Sequence, residues 1–122
     1  MDYTYRKGDI CWYRDTTPCR NTYVKHGVRP AIIVSPDLMN FSSDTVIIVP
    51  MTSRTDKKCY PGQFDIISNG ERGRVLCDQI RVVDKSRLDP PHTRIGKDVE
   101  ARLNVALLEV TGFFDADAAK LA

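Results

Sequence analysis

The chain has 122 residues, of which 42% are hydrophobic and 28% are charged, and its formal net charge at pH 7 is +2. This composition excludes wholesale disorder, and the length fits one compact domain that spans residues 1–122. No apolar run approaches the ~20 residues of a transmembrane helix, and the polar start of the chain lacks the apolar stretch of a signal peptide, so we expect a cytoplasmic protein without a membrane span.

The first predicted element is the short strand Ile10–Tyr13, which follows the turn residues Arg6–Asp9. Side chains of a strand point alternately to its two faces, so we expect one set to be buried and the other exposed. Trp12 is predicted to lie in the core, because a lone tryptophan in a small domain more often fills space than stacks on a ligand.

A long polar segment, residues 14–28, follows this strand. Loops longer than about 12 residues in a compact domain are usually functional or disordered. Tyr23 and His26 are interleaved among basic residues in the segment, and the predicted substrate-binding residues are Arg20, Tyr23, Lys25 and His26. We interpret the segment as a flap that grips a nucleic-acid backbone and stacks on a base, with a plain hairpin as the alternative.

Two β-branched runs, Arg29–Ser35 and Val46–Ser53, predict buried strands in the middle of the chain. The short link between them contains one predicted helical turn within Ser35–Phe41. A link of this length favours antiparallel pairing. Pro50 predicts that the second strand bends or reaches a sheet edge there, which frees Met51–Ser53 from the ladder.

Polar reactive groups lie at one end of each of these two strands. Pro30 holds the preceding residue, Arg29, in extended geometry at the start of the first strand. Thr52 and Ser53 close the second strand. Antiparallel pairing then brings a guanidinium group and hydroxyl groups together on one rim of the sheet, which is an arrangement suited to handling a phosphate.

The second half of the chain begins with a basic loop, residues 54–62, in which Lys57 and Lys58 are further candidates for substrate binding. Two strands, Gln63–Ile67 and Val75–Ile80, then flank an Asn-Gly turn, which is a strong hairpin signal. Residues 79–88 are predicted to lead away from the sheet. Residues 92–96 can add one more short strand.

A C-terminal helix is predicted from Asp98, a good N-cap, to Gly112, a suitable C-terminal stop. Apolar residues follow at helical spacing: Val99, Leu103, Ala106 and Val110. Leu107 and Leu108 widen this apolar face. We therefore expect the helix to pack on the sheet and on a second subunit of a homodimer.

The charge is unevenly distributed along the chain. Residues 1–97 carry a net charge of +5, whereas residues 98–122 carry −3. A basic face on a nearly neutral protein fits a polyanionic partner, although a merely solvated surface is an equal alternative on charge alone.

The cysteines and histidines do not predict a metal site. The four cysteines show no Cys-x-x-Cys spacing, and the two histidines are equally scattered. Cys11 and Cys77 fall within strand-like runs, so we expect them to be small core residues. No metal and no cofactor is predicted.

Four segments, in order and at compatible spacing, resemble the MazF/PemK family of toxins from bacterial toxin-antitoxin pairs: Arg6–Ile10, Gly27–Pro30, the apolar run that ends at Pro50–Ser53, and Gln79–Leu88. The resemblance implies a mainly β fold of MazF/CcdB type, which is an SH3-like small barrel of antiparallel sheet with short helices and a C-terminal helix. It also implies a homodimer that cleaves single-stranded RNA, chiefly mRNA, selectively and without a metal. Such a toxin inhibits translation and growth, and a cognate antitoxin would restrain it.

The same resemblance implies roles for individual residues. Arg29 and Thr52 correspond to the catalytic pair, while Ser53, Gln79 and the flap correspond to the RNA site. The flap departs from the family pattern, because residues 14–26 lack the Gly-Ser-Glu that many relatives carry. Base preference and flap contacts therefore do not transfer to this chain.

The residue types agree with this chemistry on their own terms. Metal-independent RNA cleavage uses the ribose 2′-hydroxyl as nucleophile and passes through a charged, pentacoordinate phosphorus. Arg29 suits stabilisation of that charge, and Thr52 can donate a hydrogen bond to the phosphate. The general base remains open, because arginine rarely gives up its proton; His26 is one candidate by its pKa class.

Two other functions are compatible with parts of the pattern. A non-enzymatic toxin of the CcdB type binds DNA gyrase on a related fold, but it does not require Arg29 and Thr52 on one rim. A plain nucleic-acid-binding barrel would use the basic loops without any reactive pair. Both remain alternatives to the nuclease.

Overall fold

The computed structural model describes residues 4–15, 27–68 and 70–113 of the chain. In chain order, these residues form the strands and helices β1 (Asp9–Asp15), β2 (Gly27–Ile33), α1 (Asp37–Ser42), β3 (Thr45–Thr52), β4 (Gln63–Ser68), β5 (Glu71–Leu76), β6 (Arg81–Asp84), β7 (Thr93–Arg94) and α2 (Lys97–Val110).

The strands form one antiparallel sheet in the order β4-β5-β3-β2-β1-β7, and β6 also pairs with β3. The sheet changes direction along β3, because the first half of this strand pairs with β6, its middle with β2 and its last two residues with β5. The sheet thereby curls into a half-barrel. The predicted antiparallel β fold with short helices and a C-terminal helix is confirmed.

Both faces of the central strands are buried, as their β-branched runs predict. On one face, Ile32 and Val49 belong to a core cluster that includes Leu103 of α2. On the other face, Ile33 lies in a second cluster with the ring of Tyr13. Burial on both faces makes the central strands a rigid base for the residues at their ends.

Cys11 and Cys77 are fully buried, as predicted. Burial raises the pKa of each thiol to about 12, and nearby carboxylates add to the effect. Both side chains are therefore neutral at physiological pH and act as small apolar residues.

The predicted release of the end of β3 at Pro50 is wrong. Met51 and Thr52 continue the strand and pair with Val75 and Arg74 of β5. Proline removes only its own N–H group from the ladder, so β3 bends and changes partner there instead of leaving the sheet. Thr52 is consequently fixed by a strand on one side.

The prediction that residues 79–88 lead away from the sheet is also wrong. Residues 81–84 form β6, which pairs with Thr45–Ile48 of β3. Val83 is buried whereas Val82 is exposed, which is the alternation of a half-buried strand. The strand predicted to reach Ile80 ends at Leu76, and a turn of 3-10 helix over Cys77–Gln79 connects it to β6.

Helix α2 closes one side of the half-barrel. It begins at Lys97, one residue before the predicted N-cap Asp98, which lies in the first turn, where its charge is favourable. Gly112 takes a φ of 75° just beyond the helix, as expected for a C-terminal stop. No helix in the described part of the chain is long and apolar enough to cross a membrane.

Candidate functional site

Arg29 lies near the start of β2, beside a small pocket at the end of the sheet where β2 begins and β3 ends, and we call this end the edge. Its register partner on β1 is Tyr13. The pocket has a volume of about 210 Å³, and its lining combines Arg29 with Tyr13, Asp15, Pro50, Gln79 and Arg81. The structure thus brings together two of the predicted site residues, Arg29 and Gln79.

The charges in this pocket favour an anion. Arg81 forms an ion pair with Asp15 at 3.6 Å, and its guanidinium group lies 5.4 Å from the centre of the Tyr13 ring. Two guanidinium groups and one carboxylate line the pocket, so its net charge is positive. Burial raises the pKa of Tyr13 above its ordinary value, with a contribution from Asp15 and against the effect of Arg81, so this phenol stays neutral.

Thr52 ends β3 with a fixed hydroxyl group. The backbone N–H of Arg54 donates a hydrogen bond of 3.2 Å to Thr52 Oγ1. Because this oxygen already accepts a hydrogen bond, its O–H group is left to donate towards a ligand. Ser53 follows as an exposed residue, and both side chains line a cleft of about 680 Å³.

The expected meeting of Arg29 and Thr52 on one rim is seen in part. In the antiparallel pairing of β2 and β3, Ala31 lies opposite Pro50. Two residues further outwards on the same face, the strands carry Arg29 and Thr52, so both side chains belong to one edge. They line different pockets, because β3 bends towards β5 after Pro50.

The basic loop between β3 and β4 is anchored by Arg74, the register partner of Thr52. The side chain of Arg74 is buried, and it donates hydrogen bonds to both carboxylate oxygens of Asp65, at 2.6 and 3.2 Å. It also donates to the backbone carbonyls of Lys57, at 2.8 Å, and Thr55, at 3.3 Å. One buried guanidinium group therefore ties the loop to β5, the strand that pairs with Thr52.

The pairing of Arg74 with Asp65 lowers a pKa in addition to anchoring the loop. The hydrogen bond from Arg74 holds the pKa of the Asp65 carboxyl below its ordinary value. The pair is consequently ionised at neutral pH. Lys57 and Lys58, both predicted to bind substrate, are exposed and line a small pocket together with Thr52 and Arg74.

The prediction that Trp12 lies in the core is wrong. Its side chain is 42% exposed and stacks on His92, with ring centres 5.5 Å apart and an angle of 17° between the planes. Strand alternation places Trp12 on the same face as the buried Ile10, but this face is open towards the end of β1. Both rings line the large cleft that contains Thr52 and Ser53.

Four of the predicted substrate-binding residues, Arg20, Tyr23, Lys25 and His26, lie outside the described residues. Three participants near the rim were not predicted as site residues: Asp15, Arg81 and Arg74. The sequence gives no signal for Arg74, because it follows Glu71, Arg72 and Gly73 in a charged stretch before the apolar run begins at Val75. No sequence signal identifies Asp15 and Arg81 as a pair either, because their contact depends on β6 joining the sheet.

A small half-barrel with a cationic pocket and hydroxyl groups on one edge defines a class of site that binds anions. Comparison with known proteins gives the family. Residues 6–111 match the model of the PemK-like, MazF-like toxin of type II toxin-antitoxin systems. Because this match covers most of the chain, the protein belongs to that family, and the predicted resemblance is confirmed.

Individual relatives agree with the family. The chain is 29% identical over 110 residues to "Endoribonuclease MazF" of Staphylococcus saprophyticus, and this alignment covers 84% of this chain and 90% of that protein. The fold of this chain matches the crystal structure of MazF from Deinococcus radiodurans with a TM-score of 0.74 and 28% identity, over 91% of this chain and 99% of that one. A MazE-MazF structure from the same organism matches with the same score and identity, over 93% and 100% of the two chains.

Proposed function

We propose that this protein is an endoribonuclease that cleaves single-stranded RNA at selected sequences and without a metal, as the toxin of a toxin-antitoxin pair that inhibits translation and growth. The observation that carries the proposal is the edge of the sheet where Arg29 and Gln79 share a cationic pocket, and where Thr52 at the end of β3 and the following Ser53 line the neighbouring cleft. Membership of the MazF-like family and the name of the staphylococcal relative, an endoribonuclease, support it.

The reaction needs three acts at the scissile phosphate. The 2′-oxygen loses its proton and forms a bond to phosphorus, the bond from phosphorus to the 5′-oxygen breaks, and the departing oxygen takes up a proton. The products are a 2′,3′-cyclic phosphate and a 5′-hydroxyl. The negative charge on the phosphate oxygens is greatest when both bonds are partly formed, so donors aimed at these oxygens accelerate the step.

Arg29 and Thr52 take complementary parts in this step. The guanidinium group of Arg29 offers a planar fork of donors to two phosphate oxygens. The hydroxyl of Thr52 donates to the same phosphate, since the contact with Arg54 uses a lone pair of its oxygen and not its O–H group. The general base stays a prediction, and His26 keeps its place as one candidate.

The RNA on either side of the scissile phosphate follows the charged edge. Lys57 and Lys58 offer two exposed ammonium groups to phosphates near Thr52. Gln79 lines the pocket of Arg29, where its amide can donate to or accept from a base or sugar. The predicted flap residues would complete this path.

The test is incubation of the purified protein with mixed-sequence RNA in an excess of chelator, followed by analysis of the new ends. We expect fragments with 2′,3′-cyclic phosphate and 5′-hydroxyl ends. RNA that is bound but stays intact would instead indicate a plain nucleic-acid-binding barrel. RNA that is neither bound nor cleaved would support the CcdB-type alternative instead, which a DNA gyrase binding assay would test.

We predict that the protein is a homodimer with α2 at its interface. The helix keeps Val105 and Leu108 exposed after Leu103 and Ala106 have packed on the sheet. Apolar surface of this kind is commonly covered by a symmetric partner. Light scattering at micromolar concentration should give twice the 13.8 kDa mass of the chain.

A pair of charge substitutions locates the dimer contact. Leu108→Glu should shift the protein towards the monomer, because it places a carboxylate in the apolar contact. Leu38→Glu should leave the dimer intact, since Leu38 is an exposed leucine on helix α1, outside the predicted contact. A wild-type mass of 13.8 kDa, or a dimer that tolerates Leu108→Glu, would contradict the prediction.

We further predict that a small, acidic and partly disordered antitoxin restrains the enzyme. An extended peptide with carboxylate groups complements a basic edge that binds phosphates, and the peptide orders when it binds. On formation of the complex, backbone hydrogen exchange should slow in residues 14–29 and 52–62 and stay unchanged in α1. Equal exchange of residues 14–29 and 52–62 with and without antitoxin would place the inhibition elsewhere.

A further inference from the structure

The stacked pair of Trp12 and His92 is unusual for a small protein because it lies at the surface. Its two rings are nearly parallel, and both are exposed. Aromatic side chains of this size are normally buried, since their burial stabilises the fold. A surface position for the only tryptophan of the chain therefore needs another reason.

Attachment of the neighbouring segment does not supply that reason. The segment after β6 is already fastened to β1 by backbone hydrogen bonds: the N–H of Asp89 donates to the carbonyl of Trp12 at 3.0 Å, and the N–H of His92 donates to the carbonyl of Ile10 at 3.1 Å. β7 adds strand pairing to β1. The rings are thus not required to hold the segment in place.

The cleft beside the rings has the properties of a site for a flat heterocycle. We call it the Trp12 cleft; its lining includes Trp12, His92, Met51, Thr52, Ser53 and Arg72. Its volume of about 680 Å³ lies within the ~300–1,000 Å³ typical of sites for small organic groups. Apolar side chains such as Met51 contribute to its lining, and Thr52, Glu71 and Arg72 supply a hydroxyl, a carboxylate and a guanidinium group for the polar edge of a ring.

We propose that the Trp12 cleft holds one unpaired base of the RNA substrate, stacked on the Trp12–His92 pair, while the sugar-phosphate chain passes over Thr52 and Ser53. The inference rests on the proposed function, which supplies the RNA, and it adds a subsite for a base next to the scissile phosphate. Stacking on an aromatic ring suits every base, and hydrogen bonds from the polar rim can then discriminate among them.

The positive charge beside the cleft favours RNA over an apolar peptide side chain as the occupant. The cleft adjoins the basic loop through Thr52, which lines both the cleft and the small pocket of Lys57 and Lys58. A nucleotide joins a flat apolar ring to a phosphate at a short, fixed distance. It therefore satisfies the rings and the ammonium groups at the same time.

The test uses the fluorescence of Trp12, which is the only tryptophan among the 122 residues. The probe is a labelled, mixed-sequence 2′-O-methyl RNA, which has no free 2′-hydroxyl and stays uncut. An abasic oligonucleotide of equal length and charge is the matched control, and the anisotropy of the label measures the occupancy of both. We expect saturable quenching of Trp12 by the RNA and none by the abasic chain at equal occupancy.

Variants of the full-length protein separate stacking from structure. Trp12→Leu should weaken binding of the 2′-O-methyl RNA about tenfold, whereas Trp12→Phe should stay within about threefold of wild type, because a ring remains. Phe41→Leu removes an exposed aromatic ring on α1, outside the cleft, and should change nothing. Thermal unfolding of each variant verifies that the fold is retained.

The outcomes for this subsite and for the nuclease are distinguishable. RNA binding with unchanged tryptophan fluorescence, and with equal affinity in Trp12→Leu, would overturn the base site even in an active nuclease. Quenching by the uncleavable RNA in a protein that cuts no RNA would support the base site and overturn the nuclease. Equal quenching by the abasic chain would also overturn the base site, because the fluorescence change would then report charge alone.

Discussion

Arg29→Ala is expected to reduce the rate of RNA cleavage by about 100-fold, because it removes a preorganised donor to the phosphate, an effect worth about 2.7 kcal/mol in comparable sites. Thr52→Ala should reduce the rate by a similar factor, while Thr52→Ser, which keeps the hydroxyl, should retain most activity. The fold should survive each change, since both side chains lie at the edge of the sheet outside the two core clusters.

The measurement is single-turnover cleavage of RNA by purified variants whose thermal unfolding matches wild type. Lys97→Ala is the control, because it removes one exposed positive charge from the start of α2, away from the pockets of Arg29 and Thr52. A uniform loss of electrostatic attraction would affect this variant as well. Wild-type activity in folded Arg29→Ala or Thr52→Ala would reject the catalytic assignment.

Gly62→Ala should cause a large loss of stability. Gly62 ends the basic loop with a φ of 84°, which residues with a side chain rarely adopt, and a methyl group there would lie 2.2 Å from Cγ1 of Val110. Val110 is β-branched and lies in the last turn of α2, so its rotamer cannot change freely. The helix end or the loop must therefore move, and we expect a cost of about 3 kcal/mol.

Gly70→Ala is the matched control for this effect. Gly70 has a similar φ of 79°, but an added methyl group would meet nothing within 4 Å. This variant should lose only the backbone term of about 1 kcal/mol. Thermal or urea unfolding should therefore separate the two variants by about 2 kcal/mol, and equal stability would show that the loop does not depend on its contact with α2.

The central strands and the positions of Arg29 and Thr52 were predictable because both rest on local patterns. The β-branched runs that became β2 and β3 are buried on both faces, and each run is marked by a proline at a fixed place. Short connection and antiparallel pairing then put Arg29 and Thr52 on one edge. The family resemblance added the roles of these residues, which remain to be measured.

The partners of the site residues were less predictable because they come from distant parts of the chain. The ion pair of Arg81 with Asp15 exists only because β6 joins β3, and the charged residues of that segment conceal its strand pattern. Trp12 was misplaced for a related reason. Alternation gives the face of a strand, but whether another element covers that face depends on tertiary packing.

We propose that the edge bearing Arg29 and Thr52 positions the RNA so that a 2′-hydroxyl of the RNA attacks the scissile phosphate. The most direct measurement uses an RNA that the wild-type protein cuts once, with a single 2′-deoxy substitution at the nucleotide on the 5′ side of the cut. The same substitution one nucleotide further along serves as the control. We expect no cleavage of the first RNA and normal cleavage of the control, whereas equal cleavage of both would contradict attack by the 2′-hydroxyl.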